Sequence, residues 1–434
     1  ALGESADELM LELARAARTV AWIADEAWGR VGASLSTGSS LLGWRSRTRS
    51  PGLVIRDGQV LLEPNCDPST RPTLVLDAAI LATSKQARLA RATHDQLDAR
   101  SPEPPAVWPP EVRARFVELL GLGHDAILVI EALDHTGLWE RFVPEWEAVR
   151  NRPQRNAYHR FTVDRHLLEA TANAAALVDR VDRPDLLLVG TLLHDIGKGR
   201  GGDHTEVGMA LIEEMGPRMG FDEADTAVLV DLCRHHLLLP DVATRRDLGD
   251  EATIAAVAEA VGDRTRLHLL AALTEADSLA TGPGVWGDWK SLLIGDLVRR
   301  CRLMMAGEPQ PQADPIDPQH LSLAADGGVH VEMASGGSAH TYNVTMIAPD
   351  RRGLLSKAAG VLALNSLRVH SASVNSADGS AIDSFAVSPH FGSPPAAELL
   401  RQQFILALDG ELDVIAALEK RDREAAQYGT GRVG

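Results

Sequence analysis

The 434-residue chain contains little cysteine, few aromatic residues and no excess of positive charge. Cys66, Cys233 and Cys301 are scattered and odd in number, so the sequence indicates neither a disulfide framework nor a CxxC zinc site. Aromatic residues make up 4% of the chain, and the net charge is −17. That charge argues against the nucleic-acid backbone as the main partner, because such binders usually carry a basic face. A local pocket can still be basic and bind a nucleotide.

Long hydrophobic runs are also missing. No segment of about 18 uncharged apolar residues occurs, so no transmembrane helix is predicted. The N-terminal segment ALGESADELM is acidic and lacks a signal-peptide pattern. We therefore expect a cytoplasmic protein that binds no membrane and no nucleic acid. An apolar content of 45% is enough for packed cores, and the length allows two or three domains.

The segment LLLVGTLLHDIGKGRGGDHT, residues 186–205, contains the strongest chemical signal. Its apolar run is typical of a buried helix, and His194 and Asp195 follow directly, where burial is costly unless something binds them. His166 shares a helical face with core residues upstream, and Asp277 lies on an apolar stripe downstream. Because an unpaired buried carboxylate is strongly destabilising, Asp277 requires a cation, either a metal ion or an arginine. The arginine candidates are Arg200, Arg234 and Arg264, and His166 taken alone could be an ordinary core histidine.

The order His…His-Asp…Asp, with Ile-Gly-Lys after the dipeptide, resembles the HD metal-dependent phosphohydrolases. The resemblance implies an all-α domain in which His166, His194, Asp195 and Asp277 hold a divalent metal. In some members a second metal is bound by further histidines, here His204, His235 and His236. Alternatively, these three contact phosphate or orient the ligands. Mixed imidazole and carboxylate ligation favours Mn²⁺ or Mg²⁺ and leaves Fe²⁺ and Zn²⁺ open.

Phosphodiester hydrolysis at neutral pH requires a hydroxide-like nucleophile and stabilisation of charge on the phosphate oxygens. A divalent ion supplies both, since it lowers the pKa of bound water from about 15.7 towards about 7. Lys198 lies one turn beyond the ligands, where it could offset phosphate charge or assist the leaving oxygen. The predicted catalytic residues are therefore Asp195, Lys198 and His204. The weaker candidates for phosphate contact are Arg200, Arg245 and Arg246, which could equally be solvated.

The segments on either side contain fewer candidate functional residues. Residues 1–150 are predicted to be a helical region, with Trp22, Trp28, Trp44 and Trp108 as core anchors. Residues 151–305 form the expected HD domain, and the Pro-rich start of residues 306–340 indicates a linker. Residues 341–410 show a β-α-β-β-α order, typical of a ferredoxin-like sandwich. Residues 411–434 read as a helical tail, although this fold should close with a further strand.

The turn Asp350-Arg351-Arg352-Gly353-Leu354-Leu355 resembles that of the ACT regulatory domain. The resemblance implies an amino-acid site formed by Asp350, Arg351, Gly353, Leu354 and Asn365, whereas the turn alone could be an ordinary strand–helix connection. The predicted fold class is thus multidomain and mainly α, with a helical region, an all-α HD domain and a C-terminal α+β ferredoxin-like ACT domain.

The whole chain resembles the bifunctional uridylyltransferase/uridylyl-removing enzymes of nitrogen regulation. The motifs on which this resemblance depends are HDIGKGRGGDHT, RHHLLLP, RRD, DRRGLL and the paired tryptophans of WGDWK. The resemblance implies metal-dependent removal of UMP (AMP in some bacteria) from a tyrosine of the PII signal protein, with glutamine sensed by the ACT domain. The Gly-Gly-x-Gly-Arg turn and Asp-x-Asp pair of that family's nucleotidyltransferase do not occur here. We therefore expect removal only, and transfer would require residues upstream of Ala1.

Two other functions remain open. The HD domain could hydrolyse a free nucleotide, such as a guanosine polyphosphate or a cyclic dinucleotide. Alternatively, the chain could be a non-catalytic, glutamine-sensing module that binds PII through an inert HD pocket.

Overall fold

A computed structural model describes residues 5–36, 49–155, 159–246, 248–311, 316–336, 340–390 and 392–429. The chain divides into two compact units, residues 1–311 and residues 312–434. The first unit is mainly helical, and the second combines an antiparallel sheet with helices, which confirms the predicted fold class. None of the helices in the described ranges is both long enough and apolar enough to span a bilayer.

The first part of unit 1 is a helical scaffold with a small sheet. Its helices are α1 (Ala6–Ser36), α2 (Leu74–Ser84), α3 (Arg91–Arg100), α4 (Pro110–Gly121) and α5 (His124–His135). Its strands are β1 (Arg49–Ser50), β2 (Leu53–Arg56), β3 (Gln59–Leu62) and β4 (Arg88–Leu89), in that order across the sheet. Strands β2 and β3 form a hairpin across Asp57 and Gly58. Asp57 and Gly58 both have positive φ there, as a two-residue hairpin turn requires.

The tryptophan prediction was only partly right. Trp108 is buried at 3% exposure and packs edge-on against Phe116 and Phe142, as a core anchor should. Trp28 is 73% exposed, so its prediction as a core anchor was wrong. The cause is that α1 leaves much of its apolar side uncovered, so helical periodicity alone overestimated burial. Trp22 is partly buried against His135, and Trp44 lies outside the described residues.

The second part of unit 1 consists of helices α6 to α13. Their bounds are α6 (Val163–Ala175), α7 (Pro184–Leu193), α8 (His204–Arg218), α9 (Glu223–His235), α10 (Leu238–Arg245), α11 (Glu251–Val261), α12 (Arg264–Thr281) and α13 (Asp288–Ala306). One continuous core joins them to the preceding scaffold, from Leu53 to Cys301. The apolar helix α7 is buried along most of its length, which accounts for its uninterrupted hydrophobic run.

Unit 2 is a four-stranded sheet with helices. In chain order it contains α14 (Pro318–Asp326), β5 (His330–Ser335), β6 (Tyr342–Pro349), α15 (Leu354–Leu364), β7 (Leu367–Ala377), β8 (Ser380–Pro389), α16 (Ala397–Asp409) and α17 (Val414–Gly429). The strand order is β5-β6-β8-β7, and every neighbouring pair is antiparallel. Strand β5, which precedes β6 in the chain, thus forms the edge of the sheet beside β6.

This arrangement corrects the prediction that residues 306–340 form a linker. It contains α14 and β5, and β5 pairs with β6 along its whole length, from His330 opposite Ile347 to Ser335 opposite Tyr342. Pairing satisfies the strand's backbone and buries Val331, so this segment belongs to the second unit's fold. Proline content marks only the start of the segment, and pairing with β6 shows that the strand after it belongs to the sheet.

Candidate metal centre

Five helices of unit 1 deliver the predicted ligands to one place. His166 comes from α6, His194 follows the last residue of α7, and His204 begins α8. His236 follows the last residue of α9, and Asp277 lies on α12. Helix α8 begins where it does because the Asp203 carboxylate accepts hydrogen bonds from the backbone N–H groups of Thr205 and Glu206.

The first ligand group consists of His166, His194 and Asp277. Their candidate ligand atoms lie within 4.8 Å of one another, close enough for one metal ion. Asp277 Oδ1 is 2.9 Å from His166 Nε2 and 3.7 Å from His194 Nε2. Both imidazoles are almost completely buried. Within the described residues no arginine lies at ion-pair distance from Asp277, so the alternative of a buried Asp–Arg pair is not supported.

The second ligand group consists of Asp195, His204 and His236. Their candidate atoms also lie within 4.8 Å of one another. Asp195 Oδ1 is 3.7 Å from His204 Nε2 and 3.9 Å from His236 Nε2. The other carboxylate oxygen of Asp195 is 3.5 Å from His194 Nε2, so Asp195 lies between the two groups. This arrangement can hold two ions that share one carboxylate.

Backbone carbonyl groups orient two of the imidazoles. His194 Nδ1 donates to the Thr191 carbonyl oxygen at 2.7 Å, and His236 Nδ1 donates to the Cys233 carbonyl oxygen at 2.7 Å. A carbonyl oxygen can only accept, so each Nδ1 carries a proton and each Nε2 faces its ligand group. His194 Nε2 and Asp195 Oδ1 are buried and have no hydrogen-bond partner within the described ranges. Unsatisfied buried donors and acceptors of this kind fit a divalent metal ion.

The charges of the site favour a cation. Burial opposes ionisation of Asp195, but His194, Lys198 and His236 outweigh it and hold the pKa of its carboxyl well below the usual value. Burial likewise opposes ionisation of Asp277, and His166 and His194 lower its pKa by hydrogen bonding and by charge. Burial lowers the pKa of His236, which favours the neutral imidazole that a metal ion requires.

The predicted catalytic lysine lies beside the ligands. Lys198 Nζ is 2.5 Å from Asp195 Oδ2 and donates to Gln154 Oε1 at 3.0 Å. It lines a cavity of about 770 Å³, and Asp195, His204, His236 and Asp277 line the same cavity. Lys198 is therefore within reach of any phosphate group bound over the ligands.

The structure does not bring the other basic candidates into this cavity. Arg200 donates to the carbonyl oxygens of Ile196 and Glu145, so it braces the loop after α7. Arg245 and Arg246 are exposed at the end of α10, and Arg245 pairs with Asp241. His235 is partly buried but belongs to neither ligand group. His236, its neighbour in the chain, is the one that joins Asp195.

Several cavity residues were missed by the sequence reasoning. His159 is 5.5 Å from His166 between ring centroids, and burial lowers its pKa. Lys290 donates to Ser278 Oγ at 3.0 Å, and burial lowers the pKa of its ammonium. Three residues before α6 also line the cavity, namely Arg152, Gln154 and Arg155. Of these residues only Lys290 belongs to a motif that the sequence had singled out, WGDWK. The others, His159, Arg152, Gln154 and Arg155, lie in loop segments whose positions the sequence pattern does not predict.

The predicted amino-acid site of unit 2 is divided between the two ends of α15. Gly353 precedes this helix with φ +85°, a left-handed conformation that favours glycine, and Leu354 is buried at its first position. Asp350 and Arg351 are exposed beside them. Asn365 follows the other end of the helix and donates to the Val361 carbonyl oxygen. The turn residues therefore lie together, and Asn365 lies apart from them within this unit.

Comparison with protein families identifies the helical unit. The family model described as the HD domain matches residues 163–281, from the start of α6 to the end of α12. That segment supplies every residue of both ligand groups. This unit contains an HD domain. HD domains are metal-dependent, in agreement with the ligand groups that the fold brings together.

Comparison with curated proteins extends the match beyond the HD domain. The chain is similar to bifunctional uridylyltransferase/uridylyl-removing enzymes from several bacteria. The one from Mycobacterium tuberculosis (strain ATCC 25618 / H37Rv) is 50% identical over 431 residues, covering 98% of this chain and 53% of that protein. The one from Streptomyces coelicolor is 40% identical over 478 residues, covering 96% and 57%. These matches confirm the resemblance predicted from the motifs. The chain spans just over half the length of these relatives.

Proposed function

We propose that the HD domain of this chain hydrolyses the nucleotidyl–tyrosine phosphodiester of modified PII signal protein and releases UMP or AMP. One observation carries the proposal: two ligand groups are linked by Asp195, and Asp195, Lys198, His204, His236 and Asp277 line a single cavity. A pair of divalent ions suits displacement at phosphorus, because one can stabilise the attacking oxygen and the other the leaving oxygen. The similarity to uridylyl-removing enzymes over 98% of the chain supports a phosphodiester of this class.

In this proposal each side chain has a defined task. His166, His194 and Asp277 would hold one ion, and His204 and His236 would hold a second, with Asp195 shared. Mn²⁺ or Mg²⁺ is proposed, and the donor set also accepts Fe²⁺ or Zn²⁺. When bound, the metal supplies positive charge for the phosphate oxygens and lowers the pKa of water. Lys198 contributes a further positive charge at the cavity wall, for the phosphate or for the leaving tyrosyl oxygen.

Glutamine regulation is a separate part of the proposal. The turn of Asp350, Arg351 and Gly353 leads into α15, which places backbone N–H groups at its end. Such a helix start suits the carboxylate of an amino acid. We therefore assign glutamine binding to unit 2. Nucleotide transfer is not included, since neither of the two transferase motifs occurs in these residues.

The test combines nucleotidylated PII with the purified chain and Mn²⁺, in the presence and absence of glutamine and EDTA. Nucleotide release is followed by mass spectrometry. We expect release that EDTA abolishes and that glutamine increases. In the Asp195→Ala variant, release should disappear while binding to PII persists. If modified PII stays intact over a panel of divalent metals, the proposal fails. Turnover of a free guanosine polyphosphate or cyclic dinucleotide would then favour the other HD substrate class, and its absence an inert binding module.

A further inference from the structure

Lysine is rare in this chain, and two of its few lysines line the cavity of the HD domain. Of 43 basic residues only five are lysines, namely Lys85, Lys198, Lys290, Lys357 and Lys420. Lys198 and Lys290 both line the cavity over the ligand groups. A lysine ammonium is a compact charge with three rotatable donors, and it differs in function from the planar guanidinium that predominates elsewhere in this chain. The two cavity lysines therefore invite comparison.

The two lysines differ in how their charge is balanced. Lys198 Nζ is 2.5 Å from a carboxylate oxygen of Asp195, so the structure already neutralises it. Lys290 Nζ donates to the hydroxyl oxygen of Ser278, which is neutral. Among the described residues no carboxylate lies within ion-pair distance of Lys290. It therefore brings to the cavity an ammonium without a direct ion pair and with N–H donors to spare, and Asp277 and Asp241 attract it only from farther away.

Ser278 places this charge beside the first ligand group. It is buried and follows Asp277 directly on α12, while Lys290 lies in the first turn of α13. The hydrogen bond between them joins the two helices at the cavity wall. The ammonium of Lys198 forms an ion pair with Asp195, and the hydrogen bond to Ser278 holds the ammonium of Lys290 next to Asp277. The two ammonium groups thus flank the ligands, one from the loop after α7 and the other from α13.

A partly buried ammonium without a direct ion pair destabilises the folded protein, because carboxylates farther away only partly offset its lost hydration. An apolar side chain of similar length would avoid that cost. Such a group is consistent with an anionic ligand, whose binding supplies a direct counter-charge. Lys290 lines the same cavity as Asp195, His204, His236 and Asp277.

We propose that Lys290 binds a non-bridging oxygen of the substrate phosphodiester and that Ser278 positions its ammonium. The inference rests on the proposed function only for the class of substrate, a phosphodiester that yields a nucleoside monophosphate. Lys290 is then a substrate-binding residue, and Lys198 remains associated with Asp195. The two cavity lysines therefore have different roles.

The test compares Lys290→Met, Lys290→Arg and Ser278→Ala with the parent chain and with Lys85→Met. Lys85 is exposed after the end of α2 and does not line this cavity, so it serves as the matched control. Three quantities are measured: KM and kcat for bis(p-nitrophenyl) phosphate with Mn²⁺, calorimetric binding of UMP and AMP, and the thermal midpoint. Calorimetric titration with Mn²⁺ alone reports on the metal ligands.

We expect Lys290→Met to weaken UMP or AMP binding, and to raise KM, by roughly tenfold or more, since a charge-assisted hydrogen bond is lost. Lys290→Arg should retain part of the binding, and Ser278→Ala should show a smaller loss. Mn²⁺ affinity should stay unchanged. The thermal midpoint of Lys290→Met should equal or exceed that of the parent, because a partly buried charge without a direct ion pair has been removed. Lys85→Met should match the parent throughout.

Two results would overturn the inference. One is unchanged nucleotide binding and KM in Lys290→Met. The other is a lower thermal midpoint together with weaker Mn²⁺ binding, which would make Lys290 a structural support for Asp277. Neither depends on PII. If modified PII is not cleaved but Lys290→Met still weakens UMP binding, the proposed function fails and this inference stands. If PII is cleaved and Lys290→Met is neutral, this inference alone fails.

Discussion

Two adjacent histidines show how strongly local geometry separates neighbouring residues. Consecutive residues of a helix point about 100° apart. Helix α9 ends at His235, and the next residue, His236, turns towards Asp195 and is 4% exposed. The Cys233 carbonyl oxygen holds its ring in that orientation. His235 remains partly buried outside both ligand groups.

This difference predicts unequal effects of the same substitution. His236→Ala should weaken Mn²⁺ binding by more than about tenfold to a hundredfold, the range typical of residues that only orient a ligand, because here a direct ligand is removed. Nucleotide release should fall with it. His235→Ala, the matched control, should bind Mn²⁺ as the parent does. Calorimetric titration of EDTA-treated protein measures both. Equal losses in the two variants would contradict the assignment of His236.

Asp383 is a second residue whose environment has a measurable consequence. It lies on β8 opposite Met346, is 1% exposed, and has no hydrogen-bond partner for either oxygen among the described residues. Burial, with a smaller contribution from Asp350, raises the pKa of Asp383 to about 6. The native carboxyl therefore holds its proton more tightly than the unfolded one, whose pKa is about 3.9. Its stabilising contribution is fully present below about pH 4 and is lost as the pH rises through about 6.

Asp383→Asn removes the charge without changing the shape of the side chain. At pH 7.5 we expect the transition of unit 2 to shift upwards by roughly 4–8 °C, which corresponds to about 1 kcal/mol in a domain of this size. At pH 4.5 the shift should be much smaller, since the native carboxyl of the parent is then protonated. Differential scanning calorimetry at the two pH values measures this. A shift of the same size at both would show that burial of the charge is not its cause.

At the scale of elements, the loop after α7 owes its position to close contact with α8. A Cβ on Gly197 would collide with the His204 carbonyl oxygen and with the backbone of Gly208. Only glycine therefore allows the loop to lie against the start of α8. This contact holds Asp195 and His204, which belong to different elements, within reach of one ion.

Gly197→Ala should consequently disturb the metal centre. Either the loop or α8 must shift, and overpacking of this kind costs roughly 1–3 kcal/mol. We expect a lower thermal midpoint and weaker Mn²⁺ binding. Gly201→Ala provides the control, because a Cβ there meets nothing within 4 Å. Thermal melting and metal titration of both variants decide the matter, and an unchanged Gly197→Ala protein would refute the packing argument.

At the scale of the whole molecule, the two units have separate hydrophobic cores. One core runs through the scaffold and the HD helices, and the largest core of unit 2 lies between its sheet and the helices α15, α16 and α17. Cores that share no residues can unfold independently. The metal ligands all belong to the first unit, and Asp383 belongs to the second.

We therefore expect two calorimetric transitions in the full chain. Mn²⁺ should raise only the transition of unit 1, because a ligand stabilises the state that binds it. Asp383→Asn at pH 7.5 should raise only the other. A single transition that both perturbations move equally would show that the units unfold as one.

Patterns within single helices supported most of the sequence reasoning about the ligands. His194 and Asp195 end an apolar run, and His166 and Asp277 interrupt apolar stripes, so their burial and their need for a cation followed from periodicity. The structure brings all four into two adjacent ligand groups, and Asp195 and Asp277 line the cavity. The mainly helical fold with a ferredoxin-like second unit was predictable for the same reason, since hydrophobic period distinguishes helices from strands.

What the sequence by itself determined was thus the set of elements and the residues that burial makes chemically costly. Only the tertiary structure decided that His236 rather than His235 meets Asp195, that Arg200 braces a loop, that Lys290 faces the cavity, and that β5 completes the sheet. The physical reason is the range of the interactions. Periodicity and capping act between neighbours in the chain, whereas helix packing and strand pairing join segments that are distant in sequence and leave no local pattern.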